Sequence, residues 1–248
     1  MCRRAGQAIW AVPSPCRSGA VTLEARCQTV GVDRAFFSRH ALEVAPELLG
    51  VRLTVYGGEH DDEDRAVTLR ITEVEAYHGV GVPGPHDAGS HSRHRKTERN
   101  ASMFGPPGHA YVYFSYGMHF ALNLVCSPED QASGVLVRAG EIIGGAEIAR
   151  ARREAGRSSK PIAARQLARG PGNVASALGI TRSTHDGLDL LRRPFEVQPP
   201  DRPVQKIASG QRVGVSGEAG GPAFPWRFWI EGDPTVSAYR PGRNVPRG

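Results

Sequence analysis

Apolar and polar residues alternate at the two-residue period of strands along much of this chain, but only from about Phe36 onward. Residues 1–33 show no sustained periodicity and hold Pro13, Pro15 and scattered cysteines, so a poorly ordered extension is predicted there. Ser38 is placed to cap a helical stretch, Pro46 suits a first helical turn and Gly50 can end it. Val51–Tyr56 alternates like a strand, and Gly57-Gly58 with the acidic run Glu59–Asp64 predicts a solvated hairpin loop without calcium-loop spacing. The next strand, Val67–Tyr77, has unusual content. Its odd positions are Val67, Leu69 and Ile71, then Glu73, Glu75 and Tyr77. Alternate residues share a face, so one face is expected to run from core into two carboxylates and a phenol.

Residues 78–110 form a long loop rich in Gly, Pro and His, and loops of this length in compact domains are usually functional or disordered. Ala110–Tyr116 and His119–Cys126 read as two strands joined at Tyr116-Gly117-Met118, and Gly134–Ala139 as another. Gly144–Ala155 reads as an arginine-rich helix, residues 156–169 as a basic loop, and a short helix follows Gly170-Pro171-Gly172-Asn173 and stops near Gly179. Short strands at Gln211–Val215 and Trp226–Glu231 then alternate with Pro/Gly turns. No repeat and no domain boundary stand out. The pattern predicts an α+β fold: a single domain over 34–240 around a largely antiparallel sheet, with a flexible tail at 241–248.

Composition narrows the class. Over 248 residues, 40% apolar and 23% charged content excludes wholesale disorder. No run approaches the roughly 18 apolar residues of a membrane span, and Ala8–Val12 is shorter than a secretory apolar region of about 7–15 residues. A soluble cytoplasmic protein is expected, and Cys2, Cys16, Cys27 and Cys126 match no common zinc spacing. The net charge of +6 points toward an anionic partner such as nucleic acid. However, lysine occurs only at 96, 160 and 206, and so strong an arginine bias also follows from a GC-rich genome.

Glu73 and Glu75 lie about 6.5–7 Å apart along a strand, a separation used by inverting glycosidases, although two solvent-facing acids at a strand end would look the same. His78, His86, His91, His94 and His109 crowd the long loop; His91-x-x-His94 with Asp87 and Glu98 lacks a second well-spaced pair, and no metal is expected. Tyr111 and Tyr113 share a strand face, while Tyr116 at the hairpin tip has no core to fill and is shaped to wedge between bases. Asn123 interrupts an apolar strand, where an unpaired buried amide would cost about 1–3 kcal/mol. Between Arg138 and Arg169, eight basic residues face three acids, and Arg93, Arg95, Lys96 and Arg99 form a second cluster; both are candidates for phosphate contact. Gly170–Asn173 opens a helix whose N–H groups suit an anion.

Glu73-Val-Glu-Ala-Tyr77, Ser90-His-Ser92, Arg99-Asn100, Met103-Phe-Gly-Pro-Pro-Gly108, Tyr111-Val-Tyr113, Tyr116-Gly-Met118 and Asn123 come in a specific order and spacing. With Gly170-Pro171, Arg212-Val-Gly-Val215, Trp226–Ile230 and Asp233-Pro234, the chain over roughly 36–240 resembles the alkyladenine (3-methyladenine) DNA glycosylase family. The resemblance implies a curved, open-barrel-like antiparallel sheet with flanking helices. It implies an enzyme that flips alkylated or deaminated purines from duplex DNA and hydrolyses the N-glycosidic bond with a Glu-activated water, leaving an abasic site for base excision repair. Glu75 matches the general base and Arg138 the arginine that orients it and the water. Tyr77, His91 and Tyr113 match the pocket that stacks and hydrogen-bonds the base, Tyr116 the intercalating tyrosine, and Asn123 the amide that rejects the exocyclic amine of guanine. Glu73 matches a family position but is assigned no catalytic role. No lysine lies in these segments, so a monofunctional enzyme is expected, with no cofactor, no membrane contact, double-stranded DNA with damaged purines as partner, a monomeric state and a place on the nucleoid. The loop from Tyr77 to His91 is longer than the family's by residues 79–85, His86 competes with His91 as the matching histidine, and the stretch from Asn123 to Arg138 is slightly extended. A zinc hydrolase, a non-catalytic nucleic-acid module and a carbohydrate glycosidase needing both Glu73 and Glu75 each explain fewer of these residues.

Overall fold

The computed structural model describes residues 31–57, 62–115, 117–155 and 161–246. In chain order it contains α1 (Arg34–Phe37), α2 (Ala41–Glu47), β1 (Arg52–Gly57), β2 (Asp62–His78), β3 (Ala110–Ser115), β4 (His119–Val125), β5 (Ser133–Gly144), α3 (Ala146–Glu154), α4 (Pro171–Leu178), α5 (Arg182–His185), β6 (Phe195–Gln198), β7 (Ile207–Gly210) and β8 (Arg227–Ile230). The strands form one curled, wholly antiparallel sheet ordered β3-β4-β5-β2-β1-β6, with β8 also paired to β2 and β7 to β8. This is the expected α+β single domain. No helix among the described residues is long and apolar enough to cross a membrane.

Local chemistry sets the helix ends. Asp33, placed by sequence in the extension, caps α1 by accepting from the Phe36 N–H at 2.8 Å. Ser38 closes α1 instead of opening a helix, and His40 caps α2 through Nδ1 and the Leu42 N–H. Pro46 therefore falls in the last turn of α2, where the Leu48 N–H closes the turn onto the carbonyls of Val44 and Ala45. The helix expected from Gly144 begins at Ala146, because Gly144 still pairs with Thr68 as strand. Of the expected acidic hairpin loop, residues 58–61 lie outside the described residues and Asp62–Asp64 already belong to β2.

β2 organises the sheet. Its first half pairs with β1 (Arg52 opposite Arg70), its second half with β8 (Glu73 opposite Trp229), and β5 runs along its other side. Where the partner changes, the register with β5 slips: Thr72 stands unopposed on β2, then Arg138 on β5. Each is a bulge, which bends the strand and re-aims its side chains. The buried apolar positions accordingly step 67, 69, 71 and then 74, 76. The expectation of one continuous face is thus corrected. Val74 and Ala76 take over the core, and Glu73, Glu75 and Tyr77 turn to the opposite side. Gly140 makes room for this crossing, since a Cβ there would sit 2.5 Å from the Arg70 carbonyl oxygen. α2 and α4 fill the core side with Val44, Ala45, Val174 and Leu178.

Gln211–Val215 is not a strand; the strand beside β8 is β7, upstream of it. Gly214 has φ +71 and donates to the Arg240 carbonyl, so the segment is a loop that turns toward β2. Residues 241–246, expected as a free tail, run along this loop, with the Gly217 N–H bonded to the Arg243 carbonyl.

The extra loop at 79–85 is fastened to α2 through two histidines. His78 Nε2 lies 2.7 Å from the Pro85 carbonyl, which only accepts, so His78 Nδ1 is left to accept from His40 Nε2 at 3.1 Å. His40 Nδ1 in turn accepts from Leu42. Every ring nitrogen in this relay is committed, and His40 is held neutral. Burial, followed by the nearby His78, lowers the pKa of His40 from 6.5 to about 4. Unfolding therefore takes up a proton between these values, and stability should fall as pH drops from 6.5 toward 4. Urea midpoints across that window should decline for the wild type and decline less for His40→Asn, which keeps a capping side chain. Equal slopes would contradict the relay.

Candidate active site

The bulges turn Glu75, Tyr77 and Arg138 toward a cavity of about 470 Å³ between β2, β3, β4 and the 213–216 loop. The same wall carries His91, Tyr113 and Asn123. Six of the seven residues singled out from sequence thus meet at one place; Tyr116, between β3 and β4 in the chain, lies outside the described residues. Pro171, the first residue of α4, also borders the cavity, so the Gly170–Asn173 helix start faces it.

Glu75 has no solvent-exposed surface. Its Oε1 accepts from the Val213 N–H at 2.6 Å and lies 3.4 Å from Arg138 Nη1, and its Oε2 accepts from the Tyr77 hydroxyl at 2.7 Å. Burial, then the charge of Glu75, holds the Tyr77 pKa well above its ordinary value, so the phenol remains a donor. Glu73 behaves differently. Its Oε1 accepts from Arg138 Nε (3.0 Å), Arg227 Nε (2.7 Å) and the Ser237 hydroxyl (2.9 Å), and its Oε2 from the Ser237 N–H (2.6 Å). Burial works against the charge on Arg138, but Glu75 and Glu73 outweigh it and raise the arginine's pKa. Two carboxylates and two guanidiniums so form one buried node without net charge. Glu75 meets the cavity, whereas Glu73 is turned to Arg227 and Ser237, an arrangement unlike two acids flanking a sugar bond.

The His91 ring stands edge-on to Tyr113, 4.5 Å between centroids at 84°, with Nδ1 3.2 Å from the Tyr111 hydroxyl. One edge stays exposed, but the crowding of the ring, followed by the charges of Arg99 and Arg93, lowers its pKa and favours the neutral imidazole. Asn100 holds this segment from behind, donating to the carbonyls of His91 (3.0 Å) and Arg95 (3.1 Å). Asn123, opposite Tyr111 and Leu136, donates to the Tyr111 carbonyl at 3.3 Å and turns the rest of its amide to the cavity.

Several expectations about charge change. Arg93 and Arg99 rim the cavity with exposed side chains. In the cluster from Arg138 to Arg169, however, Arg150, Arg152, Arg153 and Arg169 donate to the carbonyls of Ile162, Ala177, Leu167 and Val236. They tie the chain together as much as they offer charge. Among the described residues, no three His, Cys, Asp or Glu side chains gather as a metal set; Asp87 instead pairs with the buried Arg212, and His94 stacks near His86. Asn100, Arg212 and Arg227 lie in segments that carry the resemblance, and Asp87 is weighed only as a metal ligand; the sequence marks none of these, nor Ser237, as a site residue. The one clue was a charged residue inside the aromatic run Trp226-Arg-Phe-Trp229.

Residues 35–234 match the family described as Methylpurine-DNA glycosylase (MPG). A relative from Streptomyces avermitilis is 49% identical over 218 residues, 84% of this chain and 91% of its own. One from Leifsonia xyli subsp. xyli is 49% identical over 208 residues (84% and 92%), and one from Mycobacterium leprae 41% over 222 residues (89% and 95%). Each is provisionally named a 3-methyladenine DNA glycosylase. A curled antiparallel sheet with one carboxylate at the base of an aromatic cavity accords with a class of base-releasing DNA-repair hydrolases. The chain belongs to the methylpurine-DNA glycosylase family.

Removing Glu73 would leave Arg138 and Arg227 buried beside an unbalanced charge, a defect of about 3–5 kcal/mol. Urea unfolding of Glu73→Ala should show a loss of that order; a loss below about 1 kcal/mol would contradict the node.

Proposed function

We propose that this protein excises alkylated or deaminated purines from duplex DNA as a monofunctional glycosylase, with Glu75 as general base for the attacking water. The observation that carries the reading is the setting of Glu75: a fully buried carboxylate held by Tyr77, Val213 and Arg138 at the base of a cavity walled by aromatic rings. A base inside a duplex is unreachable, so the nucleotide must be turned out at a cost of a few kcal/mol, least for a damaged or poorly paired base. Tyr116 fills the vacated space, and Tyr77, His91 and Tyr113 receive the base. Alkylation often leaves the purine cationic, which favours aromatic walls and eases departure. As the glycosidic bond lengthens, positive charge grows on the sugar.

Glu75 answers both needs of that step: its charge stabilises the oxocarbenium-like sugar, and it takes the proton of the incoming water. Hydrogen bonds from Tyr77 and Val213 take two of roughly four acceptor positions on the carboxylate, and Arg138 pairs with it at 3.4 Å, which leaves capacity for the water. Arg138 fixes the carboxylate from the side while its own Nε is anchored on Glu73. Asn123 stands where the amine of guanine would protrude, and its bulk keeps the undamaged base out. The exposed rim arginines suit the phosphates of duplex DNA bound by a monomer at the nucleoid.

Single-turnover base release in excess EDTA, from duplexes carrying hypoxanthine, ethenoadenine or methylated purines, tests this directly. The wild type should release at least one lesion, and Glu75→Gln should be slower by about 10²–10⁴-fold with binding to the damaged duplex kept. A full rate in Glu75→Gln would remove Glu75 as the base.

A further inference from the structure

We infer that Arg212, clamped by Asp87, is a positioning residue for base release: it fixes Tyr77, the Val213 N–H and the His91 segment relative to Glu75. The inference rests on the catalytic role proposed for Glu75. Arg212 is fully buried, as is Asp87. Its guanidinium forms a two-pronged pair with that carboxylate, Nη1 to Oδ2 at 2.8 Å and Nη2 to Oδ1 at 2.6 Å. The same two nitrogens also donate to the carbonyls of Ala76 (3.0 Å) and Ala219 (2.9 Å). One planar group thereby joins three separate stretches of chain. The β2 and Asp87 stretches, and Val213 next to Arg212 itself, deliver parts of the cavity.

Ala76 lies between Glu75 and Tyr77 on β2. The guanidinium carbon lies 4.4 Å from the centre of the Tyr77 ring, and Arg212 is absent from the cavity wall, so it backs that ring from the side away from the cavity. Trp226 closes the stack at 5.0 Å. Val213, the next residue in the chain, supplies the N–H that holds Glu75 Oε1. Asp87 accepts from the Gly89 N–H at 2.9 Å, two residues before His91. The clamp packs closely on Gly89, where a Cβ would stand 2.9 Å from Val215 Cγ1, 3.0 Å from Arg212 Nη2 and 3.1 Å from Asp87 Oδ1.

Stability alone does not call for this pair. Well-packed apolar side chains of similar size often replace a buried ion pair at no cost, or with a gain. An apolar residue would not tie the Ala76 and Ala219 carbonyls and the Asp87 carboxylate at fixed spacing behind Tyr77, whereas the forked guanidinium does. Misplacing a reacting group by about 1 Å can slow a reaction about 10²-fold. The loss is therefore expected in the chemical step more than in binding.

Two variants test this. Arg212→Lys keeps the charge beside Asp87 but loses the fork and the planar group behind Tyr77; Arg212→Met with Asp87→Asn removes both charges while leaving an acceptor for Gly89. Cooperative urea unfolding establishes that each is folded. Single-turnover release on the best wild-type lesion, titrated with enzyme, separates the limiting rate from the half-saturating concentration. The expected result is a limiting rate lower by about 10–100-fold in both variants, a half-saturating concentration within about threefold of wild type, and a smaller loss for the lysine variant. A folded Arg212→Lys at the wild-type rate, or a loss confined to half-saturation, would overturn the inference. A double variant that fails to fold leaves the lysine variant to decide. A wild type that releases no lesion removes the underlying reading, a result distinct from wild-type release with unaffected variants.

Discussion

Arg138 holds two buried carboxylates with one guanidinium, Glu73 through Nε and Glu75 through Nη1, and the geometry of the site follows from that contact. Two acids cannot both stay charged in a dry interior without cations beside them, and Arg138 and Arg227 supply those cations. The bulges at Thr72 and Arg138 make the node possible. Without them β2 would keep a single alternation, and Glu73, Glu75 and Tyr77 would point into the core among Val67, Leu69 and Ile71. The slip occurs where β2 changes partner from β1 to β8, the strand that brings Arg227. Sheet curvature, charge pairing and the aim of Glu75 are one feature of the fold.

On the proposed reading, the cavity next to this node receives a flat base. Tyr77, Tyr113 and a His91 ring kept neutral by its surroundings offer π surface with few charges, and the charged groups sit at the base and the rim. Stacking a base on an aromatic side chain contributes about 1–3 kcal/mol, comparable to the few kcal/mol needed to unstack a nucleotide. The two nearly offset. On the proposed reading, discrimination then falls to what weakens pairing in the duplex and to what Asn123 excludes.

The strand pattern conveyed the sheet and the α+β class because β1 alternates regularly and β4 and β5 are short apolar runs bounded by turn residues. Glu75, Tyr77, His91, Tyr113, Asn123 and Arg138 could be picked from the chain by residue type, order and resemblance, and the fold gathers them on one wall. The face they occupy was not readable, since counting by twos assumes an unbroken strand and passes over an unopposed Thr72. Nor was the role of Arg212, whose segment carries only the resemblance: its partner lies 125 residues away, and its value comes from carbonyls that any sequence would supply. Gln211–Val215 alternates well enough for a strand, yet the Val213 N–H goes to a side-chain carboxylate instead of a neighbouring strand. The arginines of α3 likewise read as a phosphate-binding face until their carbonyl partners are seen.

The central claim is that the cavity beside Glu75 holds the damaged base during its release. A crystal structure of Glu75→Gln bound to a duplex with a single ethenoadenine tests it most directly. The base should stand in the cavity against Tyr77, His91 and Tyr113, with its sugar carbon facing residue 75 and Tyr116 in the gap left in the duplex. An ethenoadenine still stacked in the helix, or turned out to a different surface with this cavity empty, would contradict the claim.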